Sequence, residues 1–335
     1  MEHIVFVNTN KKLTEILDCA FEGASALKDL FIPNSVGTIG EYAFADCTSL
    51  ATVVFETGNT VLNELSAYTF ANDKSITAMK VAASLSADLT GLENTLPDSV
   101  TTIGEGAFLN CSGLNDFVVS KHVTTIEEKA FGGCIGLTEL TLPFIGNHRY
   151  ETNKEDTTTF GYIFSTTLED ILEENKEGLA EVEQNGNTYY IPKSLATVHV
   201  TDDTKIKEYG FANSTMLKEV SLPEGYNEEK NFTEVGAYAF ENCTELEGIS
   251  FPATTTTIGE YAFHNCPDEA FTELFIPNSV GTIGEYAFAD CTSLATVVFE
   301  TGNTVLNELS AYTFANDKSI TAMKVAASLS ADLTG

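Results

Sequence analysis

The sequence predicts an α/β repeat solenoid, a right-handed superhelix of about eleven coils built from short strands and short helical turns. Three observations carry this. The first is a column of phenylalanines: Phe21, Phe44, Phe70, Phe108, Phe131, Phe164, Phe211, Phe240, Phe263, Phe288 and Phe314. All but Phe164 follow an apolar residue by five positions, most often at a period of 23, as in Ile16 to Ile39, Ile103 to Ile126 and Val235 to Ile258. The second is that seven of the eight prolines (Pro33, Pro97, Pro143, Pro192, Pro223, Pro252 and Pro277) fall at one position of the repeat. The third is that Cys47, Cys111, Cys134, Cys243, Cys266 and Cys291 each stand three residues after a column phenylalanine. Stacked coils align equivalent side chains, so the phenylalanines form a buried spine.

Taken in order, residues 1–12 read as an N-terminal strand (4–7) and a polar turn, and 13–335 as the solenoid. The second coil shows the repeat most fully. Leu27, Leu30 and Ile32 have the spacing of a strand entered through a corner. Leu30 and Ile32 face inward and Phe31 outward, because strand side chains alternate. Pro33 ends the strand, since it offers no N–H to a ladder. Residues 36–39 read as a second, shorter strand, and 40–46 as one or two helical turns, with Ala43 small because the next coil lies close.

Departures from the period mark loops. The distance from Leu65 to Ile103 makes 82–95 an excursion. The distance from Ile126 to Ile206 leaves room for two coils and a large insert at about 144–194. Within it Phe160 to Phe164 read as a degenerate coil, 147–158 and 165–187 as polar, acidic excursions, and 189–195 as the return to the stack. Leu168, Ile171, Leu172, Leu179 and Val182 have partly helical spacing. A smaller acidic insert is 224–230. Residues 30–91 recur without change as 274–335. Such identity marks a recent or engineered duplication, and the second copy stops where the first continues. The expectation is therefore a segment of a longer array, because repeat arrays need capping coils.

The pattern Leu27-x-x-Leu30-x-Ile32-Pro33-Asn34-Ser35-Val36-x-x-Ile39-Gly40-x-x-Ala43-Phe44-x-x-Cys47 resembles the BspA-like class of leucine-rich repeat. It returns from Leu96-Pro97-Asp98-Ser99-Val100 to Ala107-Phe108-Leu109-Asn110-Cys111. The insert beginning Leu142-Pro143-Phe144 also resembles a variant coil of that family, and the resemblance runs from about Leu13 onward. It implies a leucine-rich-repeat superhelix in a secreted or surface-anchored protein of a host-associated bacterium or protozoan parasite. It implies adhesion or binding to host proteins, an extracellular or cell-surface location, and no catalytic residues.

The net charge is −32, with Arg149 the single arginine. Such a surface repels phosphate backbones and anionic membranes, so nucleic acid is excluded as a partner. No stretch approaches the ~20 apolar residues that span a bilayer. The start lacks the basic and apolar regions of a signal peptide, so export is absent or its signal has been removed. The six in-register cysteines are spaced by coil periods rather than metal-ligand spacings, and Ala24, Asp73, Ser214 and Asp317 take their place in other coils. They read as a buried column without disulfides. No two histidines have helical ligand spacing. Asp202-Asp203 and Glu228-Glu229 match no calcium loop. There is no glycine-rich phosphate loop and no nucleophile–base pair. No cofactor or metal is expected, and an enzyme is the least supported class.

Two regions read as contact surfaces for a protein or other host macromolecule. The outward strand column runs Phe31, Val54, Lys80, Val118, Thr141, His199, Ser221, Ser250, Phe275, Val298 and Lys324, apolar towards its ends. Phe31, Val54, Phe275 and Val298 are its candidate contacts. The large insert adds Arg149 and Tyr150, residue types favoured at binding hot spots. The expected function is a non-enzymatic, adhesin-like binding module. A spacer or array segment of a longer surface protein is the alternative, which the duplication favours.

Overall fold

The computed structural model describes residues 2–5, 13–149, 159–223, 231–306 and 309–326. The chain is a solenoid of short parallel strands paired one coil apart, as the phenylalanine period predicts. It divides into two units. The first comprises Met1–Thr157, Gly161–Glu181 and Thr188–Leu195, and the second Thr158–Phe160, Val182–Asn187 and Ala196–Gly335.

In the first unit, His3–Val5, Asp29–Ile32, Thr52–Glu56 and Ala78–Ala82 form one parallel sheet in that order. Phe31, Val54 and Lys80 share one register row. Asp116–Val118 pairs with Glu139–Leu142. In the second unit, Thr197–Val200 pairs with Glu219–Ser221, and Glu273–Ile276, Thr296–Glu300 and Ala322–Ala326 form a sheet. The second strands are only two residues long, as in Thr38–Ile39, Thr102–Ile103 and Thr257–Ile258. Glycine ends several of them for steric reasons. A Cβ on Gly40 would stand 2.4 Å from the Asp18 backbone nitrogen, and one on Gly259 2.5 Å from that of Ala237.

The spine is a stack of rings. In the first unit the centroids of Phe21, Phe44, Phe70, Phe108 and Phe131 follow at 5.3, 5.6, 6.1 and 5.4 Å. In the second, Phe211, Phe240, Phe263, Phe288 and Phe314 follow at 5.3, 4.9, 5.2 and 5.6 Å. From Phe44 to Phe288 the column residues are completely buried. The cysteine column lies beside the spine, also buried. Each thiol donates to the backbone carbonyl of the preceding spine phenylalanine: Cys47 to Phe21, Cys111 to Phe70, Cys134 to Phe108, Cys243 to Phe211, Cys266 to Phe240 and Cys291 to Phe263, all at 3.0–3.2 Å. Burial pushes the Cys47, Cys134 and Cys243 thiols up to about 12.

The segment expected to be helical is not. Tyr42 and Asp46 lie in the left-handed region, with φ of 54° and 60°, and the same two positions repeat this in other coils. Tyr42, Phe44 and Asp46 turn their N–H groups to the carbonyls of Ala67, Thr69 and Ala71 on the next coil, at 3.2, 3.0 and 2.8 Å. Ala43, Ala45 and Cys47 bond back within the turn to Gly40, Tyr42 and Phe44. Every second amide thus serves the neighbouring coil, and a helix would forfeit those bonds. Among the described residues, helix is confined to a 3₁₀ turn, Phe160–Ile163, and one short α-helix, Glu173–Lys176.

The excursions also differ from expectation. Leu179 and Val182, read as helical, lie in the strand Leu179–Gln184, which pairs with Asn187–Pro192. The turn is Asn185-Gly186, with φ of 50° and 75°, the conformation favoured for a two-residue hairpin. The excursion after Ala82 lies on the outward face of the sheet, where Leu85, Ala87 and Leu89 pack on Phe31, Val54 and Ala82.

Candidate macromolecule-binding surface

The outward column is in register but is not the open stripe expected of it. Val54 and Val298 are completely buried and Phe31 nearly so, while Phe275 is half-exposed. For Phe31 and Val54 the reason is the apolar cover just described, whose landing place the repeat period does not encode. Arg149 is half-buried. Its backbone N–H donates to the Thr124 carbonyl at 3.1 Å, and its guanidinium donates to the Lys121 carbonyl. Its neighbour His148 bridges Thr125, Nδ1 to Oγ1 3.1 Å. Tyr150 lies outside the described residues, as do Glu228 and Glu229. Phe31 and Val54 are thus neighbours in the first unit, and Phe275 and Val298 are neighbours in the second.

A different column stands out. Two residues before the spine phenylalanine, eight coils carry tyrosine: Tyr42, Tyr68, Tyr162, Tyr209, Tyr238, Tyr261, Tyr286 and Tyr312. All but Tyr162, which lies in the 3₁₀ turn, have positive φ, 53–59°. In the second unit five of them stack in one row, with ring centroids 4.8, 5.1, 4.8 and 4.8 Å apart and interplanar angles of 5–13°. The first four are half-exposed and Tyr312 is exposed. The left-handed conformation costs an ordinary residue about 1–2 kcal/mol, and Gly106 shows that glycine serves at the same position. Ring stacking returns about 0.5–1.5 kcal/mol per pair. The faces of the inner rings are spent on that stacking, so a partner meets their edges and hydroxyls.

The row is bordered by acid. Glu208, Glu260 and Glu285 immediately precede three of the tyrosines and are exposed. On the other flank His264 stands edge-on to Tyr261, its Nδ1 3.3 Å from Glu241 and its Nε2 3.3 Å from Asp290. Burial first raises the Tyr209, Tyr238 and Tyr261 phenols above their ordinary range, followed by neighbouring carboxylates at Tyr209 and Tyr238 and by Tyr286 and then carboxylates at Tyr261. An asparagine row reinforces the flank: Asn265 donates to Asn242 at 2.8 Å, and Asn242 to Asn213 at 2.7 Å.

The first unit shows what this face takes when it is covered. There Ala45, Ala71 and Leu109, each just after a spine phenylalanine, form a buried cluster with Ile171 and Leu179 of the large insert, and Tyr68, Ile135, Leu168 and Tyr190 pack against it. In the second unit the same position holds Glu241 and His264 in two coils and Ala212, Ala289 and Ala315 in the other three. The apolar position that the insert covers in the first unit is thus interrupted by Glu241 and His264 in the second. Among the described residues, no group of three or more His, Cys, Asp or Glu side chains could hold a metal ion, and no helix is long and apolar enough to cross a membrane.

The BspA type Leucine rich repeat region family matches residues 1–90, 88–155, 183–233 and 204–331, in six copies. No curated protein matches the chain. Among solved structures, a leucine-rich repeat protein from Bacteroides ovatus is 18% identical over 97% of this chain and 82% of its own, with a TM-score of 0.43. A leucine rich cell surface protein from Faecalibacterium prausnitzii is 22% identical over 96% and 86%, with a TM-score of 0.35. The pneumococcal vaccine antigen PcpA is 20% identical over 98% and 78%, with a TM-score of 0.35.

Proposed function

Because the chain belongs to the BspA-type leucine-rich repeat family, we propose that it works without chemistry, as the protein-binding module of an adhesin-like cell-surface or secreted protein. The tyrosine row Tyr209 to Tyr312 is its main contact surface. The observation that carries this reading is the row itself: five stacked, partly or largely exposed rings in a conformation glycine would adopt more cheaply. Tyrosine is enriched at hot spots, where truncating one side chain costs about 2 kcal/mol or more. The bordering glutamates and the net charge of −32 select a partner with a basic face. Phe275 and Arg149 are secondary contact candidates.

The test replaces Tyr238, Tyr261 and Tyr286 together by asparagine, which tolerates positive φ. Wild type and variant are used as bait on an extract of host extracellular-matrix proteins. The expected result is one or more basic proteins retained by wild type, lost with the variant, and released by moderate salt. Equal retention by a folded variant would remove the row from the site. Retention of nothing by wild type would favour the spacer reading, which rests on the unchanged recurrence of 30–91 as 274–335.

A further inference from the structure

The second unit contains a break in its strand ladder. Residues Leu246, Ile249, Phe251 and Pro252 repeat the pattern of Leu27, Leu30, Ile32 and Pro33, so a main strand belongs here. None forms: 246–252 carry no strand, although Glu219–Ser221 lies one coil before and Glu273–Ile276 one coil after. Gly248 falls inside the segment, and glycine weakens a strand. The two coils touch where the strand would start, Glu247 N–H donating to the Lys218 carbonyl at 3.0 Å, and then diverge. Elsewhere that carbonyl accepts twice, as Lys28 does from Ala51 and Thr52.

The divergence opens a groove of about 740 Å³, lined among others by Val220, Ser221, Leu222, Ile249, Ser250 and Phe251. Its floor reaches the core. Ile249 occupies the inward position that is completely buried at Leu30, Val53, Met79, Leu140, Val198 and Leu274, yet here the side chain is half-exposed. One wall is a strand edge. In a parallel ladder, alternate residues turn their N–H and C=O to opposite neighbours. Glu219 donates to the Ala196 carbonyl on the Thr197–Val200 side, so Val220 faces the groove. Among the described residues no strand pairs with that side of Glu219–Ser221.

We propose that this groove is a docking site for one extended strand of a partner protein, which pairs with the open edge at Val220 and fills the core position beside Ile249. The chemistry of the lining sets the occupant. The edge offers backbone donors and acceptors at strand spacing, which another polypeptide backbone satisfies along its length. The apolar row of Val220, Leu222, Ile249 and Phe251 lies inward, and Ser221 and Ser250 belong to the outward column. The strand therefore alternates apolar and polar side chains. Glu219, Glu247 and the overall charge select against acidic segments. This site is separate from the tyrosine row and stands whether or not that row binds.

The probe is a short synthetic peptide alternating threonine and valine between terminal lysines. Its control is the same peptide with every second amide N-methylated, which keeps the side chains and removes the donors. The expected result is saturable binding of the first peptide, weakened at least about tenfold by methylation as several hydrogen bonds are lost. Hydrogen exchange at the Val220 amide should slow at saturation. Ile249→Trp, which fills the floor, should abolish binding while the thermal transition persists. The proposal is overturned if the unmodified peptide does not bind, or if the two peptides bind equally. It is also overturned if the Val220 amide is already protected without peptide, because 248–251 would then supply the missing strand.

Discussion

Replacing Asp73 and Asp317 by cysteine tests how the interior of the coils is held. Both stand at the cysteine position of the repeat, three residues after Phe70 and Phe314. Asp73 is completely buried and Asp317 nearly so, and the carboxylate oxygens of both lack a direct hydrogen-bond partner. Burial pushes the Asp317 carboxyl up to about 7, with the nearby Asp290 carboxylate adding to it and the Cys291 backbone partly offsetting it. Burial likewise raises Asp73 well above the carboxylate range, reinforced by Asp46 and partly offset by the Cys47 backbone. A folded-state value raised above the unfolded one makes the protonated native form the favoured one. That contribution is complete below the unfolded value near pH 4. It declines as pH rises, and for Asp317 it is gone by about pH 7. Roughly three pH units at ~1.4 kcal/mol each amounts to about 4 kcal/mol for Asp317. For a unit of this size that corresponds to roughly 10 °C in Tm. A cysteine thiol in this column stays neutral throughout the range. Melting followed by circular dichroism at pH 4, 5.5 and 7.5 should show each variant closest to wild type at pH 4 and increasingly more stable towards pH 7.5. The charge of the rest of the chain changes equally in both proteins and cancels. A variant-minus-wild-type difference that is constant with pH would mean that the native carboxyls are ionised, and would refute the argument.

Two further outcomes follow from the core. Phe131→Ala should cost about 3–5 kcal/mol, because it leaves a cavity between Phe108 and the rest of a tightly stacked coil, and a denaturation midpoint equal to wild type would contradict the spine. A thiol reagent should label exposed Cys19 on the native protein and the six column cysteines only on unfolding, whereas native labelling of Cys134 or Cys243 at the rate of Cys19 would be incompatible with their burial.

The features legible in the sequence are those that repeat with the coil. The spine from Phe21 to Phe314, the cysteine column and the strand-ending prolines each recur at a fixed offset, and stacking turns a fixed offset into a physical column. The tyrosine row obeys the same rule, two residues before the spine, and could have been found by aligning the coils on phenylalanine. What the period does not carry is backbone sign. Nothing in Gly40-Glu41-Tyr42-Ala43 separates a helical turn from one that alternates its amides between coils until the left-handed Tyr42 is seen. Tertiary cover is equally silent. The burial of Phe31 and Val54 depends on where Leu85 and Leu89 land, and their distance along the chain says nothing about it. The hairpin in the insert was signalled by Asn185-Gly186, and the competing helical spacing of Leu168 to Val182 obscured it.

The turns that replace the expected helices have an electrical consequence. The Ala43 carbonyl accepts from Phe21 at 2.8 Å, and the N–H of that same peptide, on Phe44, donates to Thr69 at 3.0 Å. The relay continues through Phe70 to Ala107, Phe108 to Ala130 and Phe131 to Ile163, each at 2.9 Å. In the second unit it runs from Phe211 through Ala239, Ala262 and Ala287 to Thr313. Each peptide in such a row carries a dipole of about 3.5 D, all oriented alike, as they are along an α-helix but across coils rather than within one. Hydrogen-bonded chains of this kind polarise one another, by about 10–30% per bond. The tyrosine-bearing side of each unit therefore has a direction, with N–H groups leading towards the later coils. Removing one amide from a row weakens its neighbours in both directions, so a proline at a spine position acts on several coils at once.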